Sequence, residues 1–383
     1  KNQIKLMNMK KVYGLLIFIL GSLVGVSCSD DDYTPHTSSV EVSSAETSID
    51  AAGGEKNIVV TGEGITASAQ DTWLGVNVKG NTITVSAGAN PSRESRNTLL
   101  TVKASNGDST LVNVSQYGMV FVIKGGNIYL NDDAQTSKIA VEHSLDVKIL
   151  FAPKWSDVTV GKDSLSVSVE NNNLGHWRSG YVKYQTGEVV DSFLIRQFDF
   201  DKDLAGNYYF WGYSGITSSA TQRVLSAQLV KDGDNVRIDL LGLGLSIPVK
   251  FDESTLTLHI YGGQYMGPFE DEVSSTDATI VTRYVWTMLW DQAAGYITWS
   301  SGIGLEGQFK YDEDEDLTYT TVLADDGAWG DYSATTLRMA YFTSPTTCSS
   351  STRVTTGYTY LTSIAYPRLQ KISASGARSL ILK

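Results

Sequence analysis

The sequence predicts an all-β chain of three bodies: two β-sandwiches in tandem, followed by an antiparallel β-barrel or large β-sandwich. Three observations carry that expectation. Short runs rich in Val, Ile and Thr alternate with turn pairs such as Gly53-Gly54, Gly80-Asn81 and Asn106-Gly107, and no stretch keeps a capped helical period. One segment of about 80 residues occurs twice. From Asp199 onward the chain reads as about ten strands with a high density of aromatic side chains.

Ahead of these bodies, residues 1–27 read as a secretory signal peptide. Lys5, Lys10 and Lys11 form a positive start, and Val12 to Val26 is an uncharged apolar run, shorter than the roughly 20 residues a membrane span needs. Small residues at Gly25 and Ser27 suit a signal peptidase, and Cys28 follows directly. Residues 28–38 are polar and turn-forming, as a tether would be, and they open with Ser29-Asp30-Asp31-Asp32 after the cysteine. The cysteine in this setting resembles the lipobox of bacterial lipoproteins, with Gly25 where leucine is usual. The acidic run resembles the export signal of Bacteroidetes surface lipoproteins. These resemblances imply a lipid on Cys28, anchorage to outer-membrane lipid and display at the cell surface. An acyl chain anchors without spanning, and with Cys28 acylated, Cys348 has no cysteine left to pair with.

Length and charge set further bounds. The chain has 383 residues, beyond the roughly 250–300 at which single cores divide. Its formal net charge is −12, and the leader carries lysines and no acid, so the remainder is more acidic still. Such a surface disfavours nucleic acid and polyanions and favours neutral or cationic partners.

The repeat places one body at residues 39–117 and another at 118–198. Trp73 matches Trp155, and 23 residues later Arg96 matches Arg178. Between them lie the alternating strands "NTITVSA" and "DSLSVSV", then an Asn-bearing turn at Asn90 and at Asn171 to Asn173. Each copy closes on a glutamine, Gln116 and Gln197. This order (Trp, alternating strand, Asn turn, Arg-led strand, closing Gln) resembles that of BACON domains, modules of Bacteroidetes surface proteins and glycan-degrading enzymes. The resemblance implies immunoglobulin-like β-sandwiches and the carbohydrate-binding role proposed for that family. The second copy is degenerate, with Asp132-Asp133-Ala134 where the first has Gly53-Gly54. Recurrence of a large ring at one place makes Trp73 and Trp155 expected core anchors, set against a sugar-stacking platform. The two arginines are expected to cover an apolar edge or to meet a carboxylate.

In residues 199–383, "DFDKDLAG" reads as an acidic linker and "NYYFWGY" as the first strand of a new domain. A glycine followed by an aromatic strand resembles the opening of calycin-like barrels, although Gly206 and Trp211 are five residues apart rather than two. Alternation puts Tyr209, Trp211 and Tyr213 on one face of that strand, with Tyr208 and Phe210 on the other. In "RYVWTMLW", Tyr284, Trp286, Met288 and Trp290 share a face. Sugar C–H groups pack on aromatic rings while amides, carboxylates and phenols take the hydroxyls. Tyr209, Trp211, Tyr213, Tyr265, Trp286 and Trp290 are therefore the candidate ligand-binding residues, set against a barrel interior filled by large side chains. "YGGQYMGPF", Tyr261 to Phe269, reads as a Gly-rich turn able to lip a site.

Catalytic signatures are missing from the sequence: there is no HExxH, no GxSxG elbow, no P-loop and no paired cysteine for zinc. His36, His143, His176 and His259 lie in four different segments. "DEDEDL", Asp312 to Leu317, reads as a solvated hairpin tip, because Leu317 stands where a calcium loop needs glycine and Leu323 where it needs glutamate. The expectation is no catalytic residue, no metal and no cofactor. The expected function is a surface lipoprotein that binds glycan without cleaving it, the BACON-like modules serving as spacer. Two alternatives stand beside it: an accessory subunit of an outer-membrane transport complex, and a glycoside-processing enzyme with carboxylates assembled across strands of the C-terminal domain.

Overall fold

The computed structural model describes residues 37–372. Cys28, the acidic run and His36 lie outside them.

The first body contains β1 (Val42–Ala45), β2 (Ser48–Ile49), β3 (Gly54–Val60), β4 (Thr66–Ala69), β5 (Leu74–Lys79), β6 (Thr82–Ala87), β7 (Arg96–Lys103) and β8 (Ser109–Gln116). They form two four-stranded sheets, β1-β3-β6-β5 and β2-β8-β7-β4. Alternation does what the sequence predicts: Ile83 and Val85 of β6 are fully buried, while Thr82, Thr84 and Ser86 face the other way. The inner residues of both sheets, among them Ile49, Ile58, Leu100, Val102 and Val114, form one core.

The second body repeats this plan with β9 (Phe121–Ile123), β10 (Ile128–Leu130), β11 (Gln135–His143), β12 (Val147–Phe151), β13 (Ser156–Val160), β14 (Ser164–Val169), β15 (Arg178–Thr186) and β16 (Val189–Gln197). Its sheets are β10-β16-β15-β12 and β13-β14-β11-β9. In each body a short early strand pairs in parallel with the last one, β2 with β8 and β10 with β16.

The repeated residues form one device. Arg96 lies over the Trp73 ring at 4.5 Å and Arg178 over Trp155 at 4.6 Å. Arg96 Nε and Nη2 donate to Gln116 Oε1 at 3.0 and 2.8 Å, and Arg178 Nε donates to Gln197 Oε1 at 2.8 Å. Each glutamine amide then donates to backbone carbonyls, Asp50 and Gly88 in one copy, Asn131 and Glu170 in the other. Asn90 and Asn172 pin their turns through carbonyls of Glu94 and His176. The arginines thus lay their guanidinium groups over indole rings, and their acceptor is a neutral amide rather than a carboxylate. A buried amide satisfies the guanidinium without a second charge that would also need desolvation.

The two sandwiches touch at a defined joint. Arg93 donates to Asp191 at 2.8 Å, and the tip of the β15–β16 hairpin lies against Pro91. Gly187 there has φ +56°, and a Cβ on it would lie 2.5 Å from the Pro91 carbonyl oxygen.

The third body holds β17 (Gly206–Tyr213), β18 (Gln222–Asp232), β19 (Asn235–Leu240), β20 (Leu245–Asp252), β21 (Thr257–Tyr261), β22 (Tyr265–Ser274), β23 (Asp277–Asp291), β24 (Tyr296–Thr298), β25 (Gly304–Asp312), β26 (Leu317–Thr320), β27 (Ala324–Asp325), β28 (Thr336–Phe342) and β29 (Tyr360–Lys371). The strands β17-β18-β19-β20-β21-β25-β26-β29 run in order, and β29 pairs back onto β17, closing an eight-stranded barrel. Strands β28, β23 and β22 continue the sheet from β29. Closure removes the unpaired edges an open sheet of this size would present.

Three features differ from the sequence reading. Residues 200–204 are no linker: Phe200–Leu204 forms a π-helical turn whose Phe200 and Leu204 are buried in the barrel core. The Gly-rich stretch turns only at Gly262-Gly263, after which Tyr265–Ser274 is the strand β22. The closing strand β29 contains Pro367, which donates nothing to a ladder, and Tyr366 at φ +49°. Both break the alternation by which strands are recognised.

Candidate functional site

The site region is the outer wall of the barrel beside its closing seam. On β17, Tyr208 and Phe210 are fully buried inside, and Tyr209, Trp211 and Tyr213 point outward. Across the ladder, Trp211 faces Arg368 and Tyr209 faces Gln370. On the other flank of β29, β26 is joined through the Tyr319–Gln370 pair, so the wall thins there. A cleft of about 360 Å³ opens at this seam, lined by Trp211, Lys310, Asp312, Tyr319, Arg368 and Gln370 among others.

The cleft is lined by charged, polar and aromatic side chains. The Arg368 guanidinium stacks over the Trp211 ring at 4.3 Å, and burial pulls its pKa below the ordinary guanidinium range. Trp211 is 5% exposed, and both its indole Nε1 and Arg368 Nε are buried without a hydrogen-bond partner. Tyr319 and Gln370 are half-buried and Lys310 is exposed, so phenol, amide and ammonium ring one opening. Asp312 at the rim is occupied in holding the β25–β26 turn, where its Oδ1 accepts from the Asp314 and Glu315 amides. This is the solvated tip read from "DEDEDL". Among the described residues no group of three or more His, Cys, Asp and Glu is placed to hold a metal ion.

The six aromatic candidates separate. Only Trp211 lines the cleft, with Tyr209 and Tyr213 on the same outer face of its strand. Trp286 is 8% exposed, donates from Nε1 to the Ser344 carbonyl at 3.0 Å, and packs with Met288, Ala340 and Phe342 in a small outer core. It is a packing residue. Tyr265 sits 5.2 Å from Trp286 and edges a separate groove of about 640 Å³ with Lys231, Arg237, Pro248 and Lys250. Trp290 is covered by Arg338, 4.0 Å above its ring. A ring face under a guanidinium is closed to a sugar, so neither Trp211 nor Trp290 offers that face as a platform.

Sequence reasoning missed Tyr319, Arg368 and Gln370. Two of them sit on β29, whose "RLQK" end keeps a period of two with Leu369 inward, the signal that could have found it.

Residues 62–117 match the BACON family. Its model carries the description "Putative binding domain, N-terminal", and the matched stretch holds Trp73, Arg96 and Gln116. No curated protein matches the chain. Among solved structures, a Bacteroides ovatus GH5 xyloglucanase in complex with a XXXG heptasaccharide is 21% identical over 24% of this chain and 22% of its own, with a TM-score of 0.20. The chain therefore spans about a fifth of that enzyme. The I9-I11 tandem from titin is 8% identical over 55% of this chain and 94% of its own, at TM-score 0.27. An endo-fucoidan hydrolase of glycoside hydrolase family 107 is 15% identical over 40% of this chain and 32% of its own, at TM-score 0.20.

Proposed function

We propose that the protein is a lipid-anchored surface protein that binds a glycan without cleaving it, at the seam cleft of its C-terminal barrel. The observation that carries this reading is the cleft itself, where the exposed Lys310 and the half-buried Tyr319, Arg368 and Gln370 ring one opening beside Trp211. Hydroxyl-rich ligands suit such a mixture of ring, amide, phenol and guanidinium. The BACON match supports a binding role for the N-terminal part, and Cys28 is the proposed anchor, with the sandwiches as spacer.

A second reading, an accessory subunit of an outer-membrane complex with no sugar ligand, is favoured by the guanidinium-covered tryptophans and by the bonded joint between the sandwiches. Affinity electrophoresis of the full chain through gels carrying neutral polysaccharides separates the two. Retention that falls about tenfold, or 1.4 kcal/mol, in Gln370→Ala and Tyr319→Ala supports the cleft. Unretarded migration of the unaltered protein in every gel rejects binding, and release of reducing sugar rejects the non-catalytic part.

A further inference from the structure

Several arginines of this protein have partners built into the fold, backbone carbonyls among them for Arg196 and Arg223. Arg96 and Arg178 lie over tryptophans and give their N–H groups to built-in acceptors, Gln116 and Gln197. Arg93 and Arg237 meet the carboxylates of Asp191 and Asp239. Arg338 does neither. It projects from the outer face of β28, with its guanidinium 4.0 Å from the Trp290 ring and 4.5 Å from the Tyr360 ring. Its Nε is buried without an acceptor, and among the described residues it makes no hydrogen bond and no ion pair. Arg353 lies near enough to repel it and is itself 5.8 Å from the Trp299 ring, likewise without a carboxylate partner among the described residues.

Arg338 is partly desolvated and has a like charge beside it, a setting that an anion would relieve. Acidic side chains are abundant elsewhere, and packing alone asks only for a cover on Trp290. With Trp290 and Tyr360 against it and its Nε buried, the two terminal Nη groups of Arg338 are the planar donor fork left for a partner. That fork matches a carboxylate or a sulfate ester, which accept two parallel N–H bonds.

We infer that the face formed by β23, β28 and β29 binds the carboxylate or sulfate group of an acidic glycan, with Arg338 as the anion receptor and Arg353 beside it. This rests on the glycan-binding reading and names a charged class of ligand, contrary to what net charge alone favours. The conflict is one of range. Repulsion from distant acids is screened beyond about 8 Å at physiological salt, whereas a bidentate contact is not. Tyr360, 40% exposed, and the half-buried Trp290 flank the guanidinium with apolar surface against which a sugar ring can rest.

The test is affinity electrophoresis of the full chain in gels containing polygalacturonate, dextran sulfate or uncharged dextran. The expected result is retardation in one of the two acidic gels, which identifies the anion. It should weaken at least tenfold in Arg338→Gln and also in Arg338→Lys, because lysine keeps the charge but not the fork. Absence of retardation in both acidic gels overturns the inference, as does an Arg338→Lys variant that binds like the unaltered protein. Thermal unfolding checks that the variants fold, and Arg353→Gln, expected to weaken retention severalfold, serves if they do not. Retention on neutral polysaccharide, sensitive to Gln370→Ala, is to persist in Arg338→Gln. Failure of the acidic retention alone sinks this inference, and failure of both sinks glycan binding.

Discussion

Replacing Asp203 by asparagine should stabilise the protein above neutral pH and change little near pH 4. Asp203 lies in the π-helical turn that enters the barrel base and is fully buried. One carboxylate oxygen accepts from the Asp199 amide at 2.9 Å, and the other has no partner. Lys371 reaches the backbone carbonyl of Asp203, not its carboxylate. Burial, with Asp132 and Asp199 nearby, pushes the pKa up to about 7 from 3.8. The folded chain therefore holds this proton more tightly than the unfolded chain does. Stability is full below about pH 4, falls as pH rises to about 7, and stays lower above. At roughly 1.4 kcal/mol per pH unit the window is worth up to about 4 kcal/mol. In the Asp203→Asn variant the amide oxygen keeps the Asp199 bond without a charge. Urea midpoints of both proteins at pH 4.5 and 8 give the difference directly, with other titrating groups cancelling. Equal differences at the two pH values would refute the reasoning.

Two further outcomes follow from buried groups. Gln116→Leu removes the acceptor of Arg96 and the donor to Asp50 and Gly88, so it should cost about 3 kcal/mol; a change in thermal unfolding equivalent to less than about 1 kcal/mol would contradict the device formed by the repeat. Cys348, a half-buried thiol that desolvation pushes up to about 12, should react more slowly with a thiol reagent at pH 8 in the native Cys28→Ala chain than in the same chain unfolded, and equal rates would show the contrary.

Periodicity made the strands of the sandwiches legible, because one face is buried and one is wet, as Ile83 and Val85 illustrate. The internal repeat gave more: Trp73, Arg96 and Gln116 recur because they touch. Within the barrel, alternation correctly separated Tyr208 and Phe210 from Tyr209 and Trp211. It could not show that arginines distant in the chain would close over Trp211 and Trp290, since Arg368 reaches its partner only through barrel closure. Phe200 and Leu204 were illegible for a related reason. Five residues among acids carry no period, and their burial is decided by the open end of a barrel they happen to fill.

The contact of Gly187 on Pro91, locked by Arg93 and Asp191, has a mechanical consequence. Tandem modules on slack linkers would let a captured polymer wander about its holder. Here a side chain added at Gly187 would meet the Pro91 carbonyl at 2.5 Å, so the angle between the two sandwiches is written into one residue of one hairpin.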